Sequence, residues 1–173
     1  MNKSCTIRTA TPADLETISS IESICFAPAE AADQSRFKDR LERFADHFWL
    51  CETEEKVVGF IDGAVINTRT ISDEMYADAS YHDPKGMWQA VYGINVLPQF
   101  RGQGIGHKLM HALIAAARSQ GRQGCVLTCK DHMIGWYEKQ GFRLLGRSAS
   151  EHGGMVWNDM VLEFSEQNGN RQK

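Results

Sequence analysis

Apolar positions along this chain change their spacing several times, and each change marks an element boundary. Leu15, Ile18, Ile21 or Glu22, and Cys25 recur at helical spacing, which predicts a helix over "TPADLETISSIESICF". Thr11 can cap it, Pro12 suits its first position and Asp14 takes the acidic place of a capping box. Phe37, Leu41 and Phe44 repeat the helical period in "SRFKDRLERF", with "APAEAAD" as the connector between the two helices. "SCTIRTA" reads as a short strand, and "FWLCET" and "VVGFIDGAVI" as two more around a tight turn, the second apolar enough to lie inside a sheet.

Residues 67 to 86 break the rhythm: they are polar and hold no sustained period, the mark of a long functional or mobile excursion. Beyond them "WQAVYGINVL" is a strand, "GIGHKLMHALIAAARSQ" a helix, "GCVLTC" a strand and "HMIGWYEKQ" a short helix. "FRLLGRSAS" and "GMVWNDMVLEF" form a hairpin closed through "EHGG". The order gives a mixed α/β sheet with helices on both faces. Residues 1–164 form one domain without internal repeats, and residues 165–173 a disordered C-terminal tail.

Composition removes several classes of function. Hydrophobic residues at 42% and charged residues at 24% are ordinary globular values. A net charge of -3 offers no basic footprint for nucleic acid or an anionic membrane. No apolar run reaches the roughly 20 residues of a membrane span, and "MNKSCTIRTA" lacks a signal-peptide centre, so a cytoplasmic protein is expected. The five cysteines, Cys5, Cys25, Cys51, Cys125 and Cys129, show no CxxC spacing, and they predict neither a disulfide framework nor a zinc knuckle.

The chemistry concentrates in "LPQFRGQGIGHKLM", where Gly102, Gly104 and Gly106 stand between a strand and a helix. A helix's first turn carries amide N–H groups without partners and a partial positive charge, so a bare backbone there can seat an anion. A glycine-rich turn before an ordinary amphipathic helix fits the same residues. The dinucleotide fingerprint is not met, since His107 stands where its third glycine belongs, and the Lys-Ser/Thr ending of a P-loop is missing. The pattern that is met is R-x-x-G-x-G, through Arg101, Gly104 and Gly106 after "V-L-P". With "CKDHMIGWYEKQGFRLLG", whose Tyr137, Glu138, Gly141 and Phe142 fit a "FYEKxGF" segment, the chain resembles the GNAT superfamily of acyl-CoA-dependent N-acetyltransferases. "TCKDHMIGWYEKQGF" and "ESICF" look most like arylalkylamine N-acetyltransferases and their bacterial relatives.

That resemblance implies a mostly antiparallel sheet of about seven strands, acetyl-CoA as cosubstrate, no metal and a small primary amine as acceptor, and it leaves a homodimer open. The strand before the cradle would splay from its neighbour and pair with the pantetheine arm through Ile94, Asn95 and Val96. The pyrophosphate would lie on Gly102, Gln103, Gly104, Ile105, Gly106 and His107, with Arg101 marking the motif. From spacing alone Tyr137 is a helix-face aromatic packed beneath the sheet; the "WYEKQGF" context reverses that preference, and there Tyr137 would stabilise or protonate the departing sulfur. Tyr92 would orient an amine or a water, and Thr128 would line the acceptor pocket.

No proton acceptor carries over, because the two histidines of the arylalkylamine enzymes fall on Ala90 and Tyr92 here. His107 and His111 share a metal-compatible spacing without an HExxH pattern or a third ligand. His132 beside Asp131 and His82 beside Asp83 would relay protons only if they face the cleft. Glu30, Asp33, Asp78 and Asp83 bring negative charge that suits an ammonium, or are solvated loop acids. Two other readings stay open: an acetyltransferase acting on protein N-termini or lysines, and an acyl-CoA-binding module without turnover.

Overall fold

The computed structural model describes residues 4–165. The chain runs β1 (Thr6–Thr9), α1 (Leu15–Cys25), α2 (Gln34–Phe44), β2 (Phe48–Glu52), β3 (Val57–Asp62) and β4 (Val65–Ile66). It continues through α3 (Asp73–Ala77), β5 (Trp88–Val91), β6 (Gly93–Val96), α4 (Ile105–Ser119), β7 (Gly124–Cys129), α5 (Ile134–Lys139), β8 (Arg143–Arg147) and β9 (Asn158–Glu163). Most of the expected tail, residues 166–173, lies outside the described residues.

Alternation along the strands sorts their side chains into two cores. Phe48 and Leu50 of β2 join Phe60 of β3 under α1 and α2, where Ile18, Ile21, Phe37, Leu41 and Phe44 cover them. Trp49 and Cys51 point the other way, beneath Ile105, Leu109, Met110, Leu113 and Ala117 of α4. The sheet is therefore covered on both faces, as the order of elements predicted. At the head of α1, Asp14 accepts the Thr11 N–H at 2.9 Å and is gripped by Arg8.

Hydrogen bonding divides the strands into β1-β2-β3-β6 and β4-β5-β7-β9-β8. β3 and β4 are successive pieces of one path, as are β5 and β6, so nine short strands make seven longer ones. Among the described residues the one parallel pair is β5 with β7. A single irregularity separates the two groups. Gln89 lies opposite Val65 and Gly93 opposite Asp62, four residues of advance on one strand against three on the other. This is a β-bulge: one extra residue reverses which backbone groups face which neighbour.

Two expectations are revised. The excursion from 67 to 86 contains the short helix α3 and a 3-10 turn at Ala79–Tyr81. Cys5 and Cys51 form a disulfide, whereas Cys25, Cys125 and Cys129 are free. Partners 46 residues apart leave no local spacing signal, and only the β1–β2 pairing brings them together.

Phe60 is fully buried, edge-on to Phe37 at 5.8 Å and stacked on Phe48 at 6.3 Å. Phe60→Ala is expected to cost about 3–5 kcal/mol, read as a lower urea midpoint with an unchanged slope.

Candidate active site

Beyond the bulge, Leu97 donates its N–H to Val58 O at 2.9 Å. The backbones of Asn95 and Leu97 therefore face β3, and those of Ile94 and Val96 face away from it. The Val96 carbonyl is met by Arg101 Nε at 3.0 Å and by Cys25 Sγ at 3.5 Å. β7 meanwhile continues through Thr128 and Cys129 bonded to β9. The gap between β6 and the end of β7 is a cleft of about 830 Å³ that runs from the glycine turn to the 67–86 excursion.

At one end of the cleft lies the entrance of α4. Gly104 caps the helix at φ 80°, and open space lies where a Cβ would project from Gly102 and Gly104. Side-chain-bearing residues avoid that backbone region. Helix geometry leaves the N–H groups of Ile105, Gly106 and His107 without intrahelical carbonyls. The amides, the positive end of the helix dipole and the absence of side-chain bulk fit a diphosphate. His107 Nδ1 meets Gln140 Oε1 at 2.7 Å, which ties α4 to the end of α5.

Midway along, Trp136 and Tyr137 of α5 form the wall. Burial holds the Tyr137 phenol well above its ordinary pKa, so it remains an O–H donor. The Trp136 ring lies against Gly106, 3.3 Å from where a Cβ would stand.

The far end is closed by three segments that are distant in sequence. Asp73 accepts from Ser150 Oγ and from the Glu151 N–H; the Glu30 carbonyl meets His152 Nε2 at 2.9 Å; Lys130 pairs with the Glu30 carboxylate. Tyr76 lies 4.9 Å from Tyr92 and stacks on His152 at 6.1 Å, and Trp157 follows at 6.0 Å from that imidazole. Below these rings sit buried polar groups. Arg40 reaches Asp62 at 3.1 Å and the Tyr76 carbonyl at 2.9 Å, with its guanidinium 4.9 Å over the Tyr92 ring. Glu22 accepts the Ala32 N–H at 3.3 Å. Burial, reinforced by neighbouring Asp62, pushes the Glu22 carboxyl up to about 7. Burial raises Asp62 to about 6 against the opposing pull of Arg40.

The sequence model of the Acetyltransferase (GNAT) family matches residues 15–142. The chain belongs to the GNAT acetyltransferase family. Human N-acetyltransferase 8B is 27% identical over 114 residues, covering 64% of this chain and 44% of that protein, so the chain spans less than half of that curated relative. Among solved structures, the GphF GNAT-like decarboxylase in complex with isobutyryl-CoA superposes with a TM-score of 0.80 at 20% identity, covering 91% of this chain and 98% of that one. The ribosomal-protein-S18-alanine N-acetyltransferase of Escherichia coli gives 0.71 at 19%, covering 96% and 99%. These two likenesses are of fold. The matches carry the GNAT family rather than its arylalkylamine subgroup.

Most residues singled out in the sequence line this GNAT cleft: Tyr92, Ile94, Asn95, Val96, Gly102, Gly104, Ile105, Gly106, His107, Thr128 and Tyr137. Three differ in detail. Gln103 faces a separate small recess with Lys108 and Thr53. Asn95 turns its backbone to β3, because the bulge fixes the alternation, and contributes a buried carboxamide instead. Arg101 spends its Nε on Val96. Thr128 Oγ1 is 2.8 Å from Tyr76 Oη. The loop acids divide by role: Glu30 lines the cleft, Asp33 caps α2, Asp78 bonds the Ser80 N–H and Asp83 holds Asn67 and Lys85. His132 lines the cleft, whereas His82 accepts the Val65 N–H and packs on Phe44. His107 and His111 stack at 6.3 Å, and among the described residues no three metal-ligating side chains gather.

Glu22, Arg40 and Asp62 were missed as site residues. Their sequence signal was weak: Glu22 shares a position in the apolar stripe of α1 with Ile21, and Arg40 and Asp62 stand among polar or strand residues.

Gly104→Ala places a methyl group in open space at the cradle and an L-residue at positive φ, a strain of about 1–2 kcal/mol. The variant is expected to stay folded and to bind acetyl-CoA about tenfold more weakly, measured by calorimetry.

Proposed function

We propose that the protein transfers acetyl from acetyl-CoA to the primary amine of a small molecule by direct attack within a ternary complex. The observation that carries this reading is the continuity of one cleft from an anion-binding helix entrance to a closed end of aromatic rings and carboxylates. When bound, acetyl-CoA supplies an acetyl thioester, an electrophile that needs only a neutral amine and a place for the leaving sulfur's charge. Isobutyryl-CoA in the similar GphF structure supports a coenzyme A thioester as the ligand.

The chain's residues divide the remaining work. The amides of residues 102–107 hold the diphosphate, and the backbone of Ile94 with the N–H of Val96, turned away from β3, holds the pantetheine arm. Tyr137 donates its phenolic proton toward the sulfur as negative charge develops there. No cysteine is needed as an acyl carrier: Cys129 is buried with its thiol raised to about 11, and Cys25 is likewise raised.

A small acceptor is favoured over a peptide because Glu30, Asp73 and the 150–152 turn are laced together across the end of the cleft, where an extended chain would need an open groove. The rings of Tyr76, Tyr92, His152 and Trp157 suit an amine carrying a flat apolar group, since aromatic faces and edges pack favourably. A panel of 2-phenylethylamine, tryptamine, spermidine and a lysine-containing peptide, assayed by release of free thiol, tests this. The arylalkylamines are expected to give the highest kcat/KM; a preference for the peptide overturns the acceptor class. Tyr137→Phe is expected to lower kcat by about 10²-fold with the acetyl-CoA Kd unchanged, checked by the same assay beside calorimetry.

A further inference from the structure

The transferase reading leaves one chemical role unfilled, a group to accept the proton of the attacking amine. The two carboxylates at the floor of the cleft are placed for it by geometry. Glu22 projects from the last turns of α1 and lines the cleft; Asp62 ends β3. Both come to the bulge, where Gly93 has no side chain: a Cβ there would stand 3.7 Å from Asp62 Oδ1 and 3.9 Å from Glu22 Oε1. The missing side chain leaves room beside these oxygens, a space they share with Asn95 Nδ2 at 3.6 Å.

The surroundings are polar and under-used. Among the described residues Arg40 Nε, Tyr92 Oη and Asn95 Oδ1 are buried without hydrogen-bond partners, and all three residues line the cleft. Buried polar atoms normally have partners, so this concentration marks a place for a polar ligand atom. The two carboxylates differ in freedom. Asp62 is fixed by the Arg40 guanidinium at 3.1 Å, whereas Glu22 accepts the Ala32 N–H on Oε2 at 3.3 Å and has only the neutral Asn95 carboxamide beside it as a further donor among the described residues. Oε1 lies beside Gly93, on the side of the cleft.

We propose that Glu22 is the proton acceptor for the amine, with Asp62, Arg40 and Asn95 as its positioning residues. The amine lone pair forms the new C–N bond, the C–S bond breaks with its electron pair on sulfur, and Glu22 takes the proton from nitrogen. The sulfur takes a proton from Tyr137, and solvent carries the proton from Glu22 back to the phenol. Reactants and products balance as amine plus thioester giving amide plus thiol.

A carboxylate serves as a base only when ionised. With Glu22 raised to about 7, the rate is expected to climb as pH passes through that value. The groups facing Glu22 that set this midpoint are Asp62 from β3, which raises it, and Arg40 from α2, Asn95 from β6 and the Ala32 N–H, which lower it. Linkage supplies a readout without catalysis. A carboxyl raised on folding above its usual 4.5 gives stability that is complete below that value and lost as pH rises through about 7. The neutral amide of Glu22→Gln does not incur that loss.

The proposal rests on the transferase reading, and the experiment separates the two. Profiles of kcat/KM against pH are recorded with acetyl-CoA and 2-phenylethylamine, or the best amine of the panel, for the wild type, Glu22→Gln, Glu22→Asp and Asp62→Asn. Expected are an acid limb near pH 7 in the wild type and its loss in Glu22→Gln, with kcat down about 10²-fold or more. Glu22→Asp is expected to recover part of the rate, and Asp62→Asn to keep the limb but shift it downward. Acetyl-CoA binding by calorimetry is expected to be unchanged in Glu22→Gln. In the free proteins, the Tm of Glu22→Gln minus that of wild type is expected to grow from pH 5 to pH 8. An intact limb in Glu22→Gln, or a flat Tm difference, overturns Glu22 alone. A wild type that binds acetyl-CoA yet acetylates no amine overturns the transferase reading and the base with it.

Discussion

The site depends on one exchange of hydrogen-bonding partners. The strand path from Trp88 to Val96 pairs with β7 over its first half and, after one extra residue, leaves that neighbour while staying on the β4–β3 path at its other side. An unbroken ladder would satisfy every main-chain group and leave no cleft. The bulge instead turns the backbone of Ile94 and Val96 out of the ladder in the middle of the molecule, away from the edges where unpaired strands are usually found, and the Val96 carbonyl is taken up by Arg101 and Cys25. Two hydrophobic cores hold the divergent halves apart, so the opening is set by packing on both faces of the sheet.

Electrostatic character changes along the cleft. The α4 entrance offers oriented donors, the α5 wall a neutral phenol, and the floor a cluster of one guanidinium and two carboxylates. Burial acts in the same direction on Tyr137, Glu22 and Asp62, by disfavouring the charged form of each. Its consequences differ by role. It keeps the phenol protonated, and it leaves the Glu22 carboxyl titrating at about 7.

How much of this was legible in the sequence follows from how local each signal is. Gly102, Gly104 and Gly106 announce a bare helix entrance because the constraint acts within a few residues, and the helix spacing of Leu109 and Leu113 confirms the element behind it. The "WYEKQGF" segment singled out Tyr137 through family likeness, and the structure lines the cleft with it. The bulge was invisible: it is a relation between Gln89–Gly93 and Asp62–Val65, and each segment alone reads as an ordinary strand. Glu22 was ambiguous for a related reason, since an acidic residue beside an apolar stripe is ordinarily solvated, and only the approach of β3 and β6 encloses it. Cys5 and Cys51 meet through strand pairing that no spacing rule encodes.

The laced far end also constrains how such a protein can change. Glu30, Asp73 and Ser150 to His152 come from three separate stretches, yet each holds the backbone or side chain of another. Substitutions among directly contacting residues are rarely additive. A new shape for this end of the cleft therefore cannot be acquired one loop at a time; the three must diverge together, and a swapped loop carries its neighbours' sequence as a condition of folding in place.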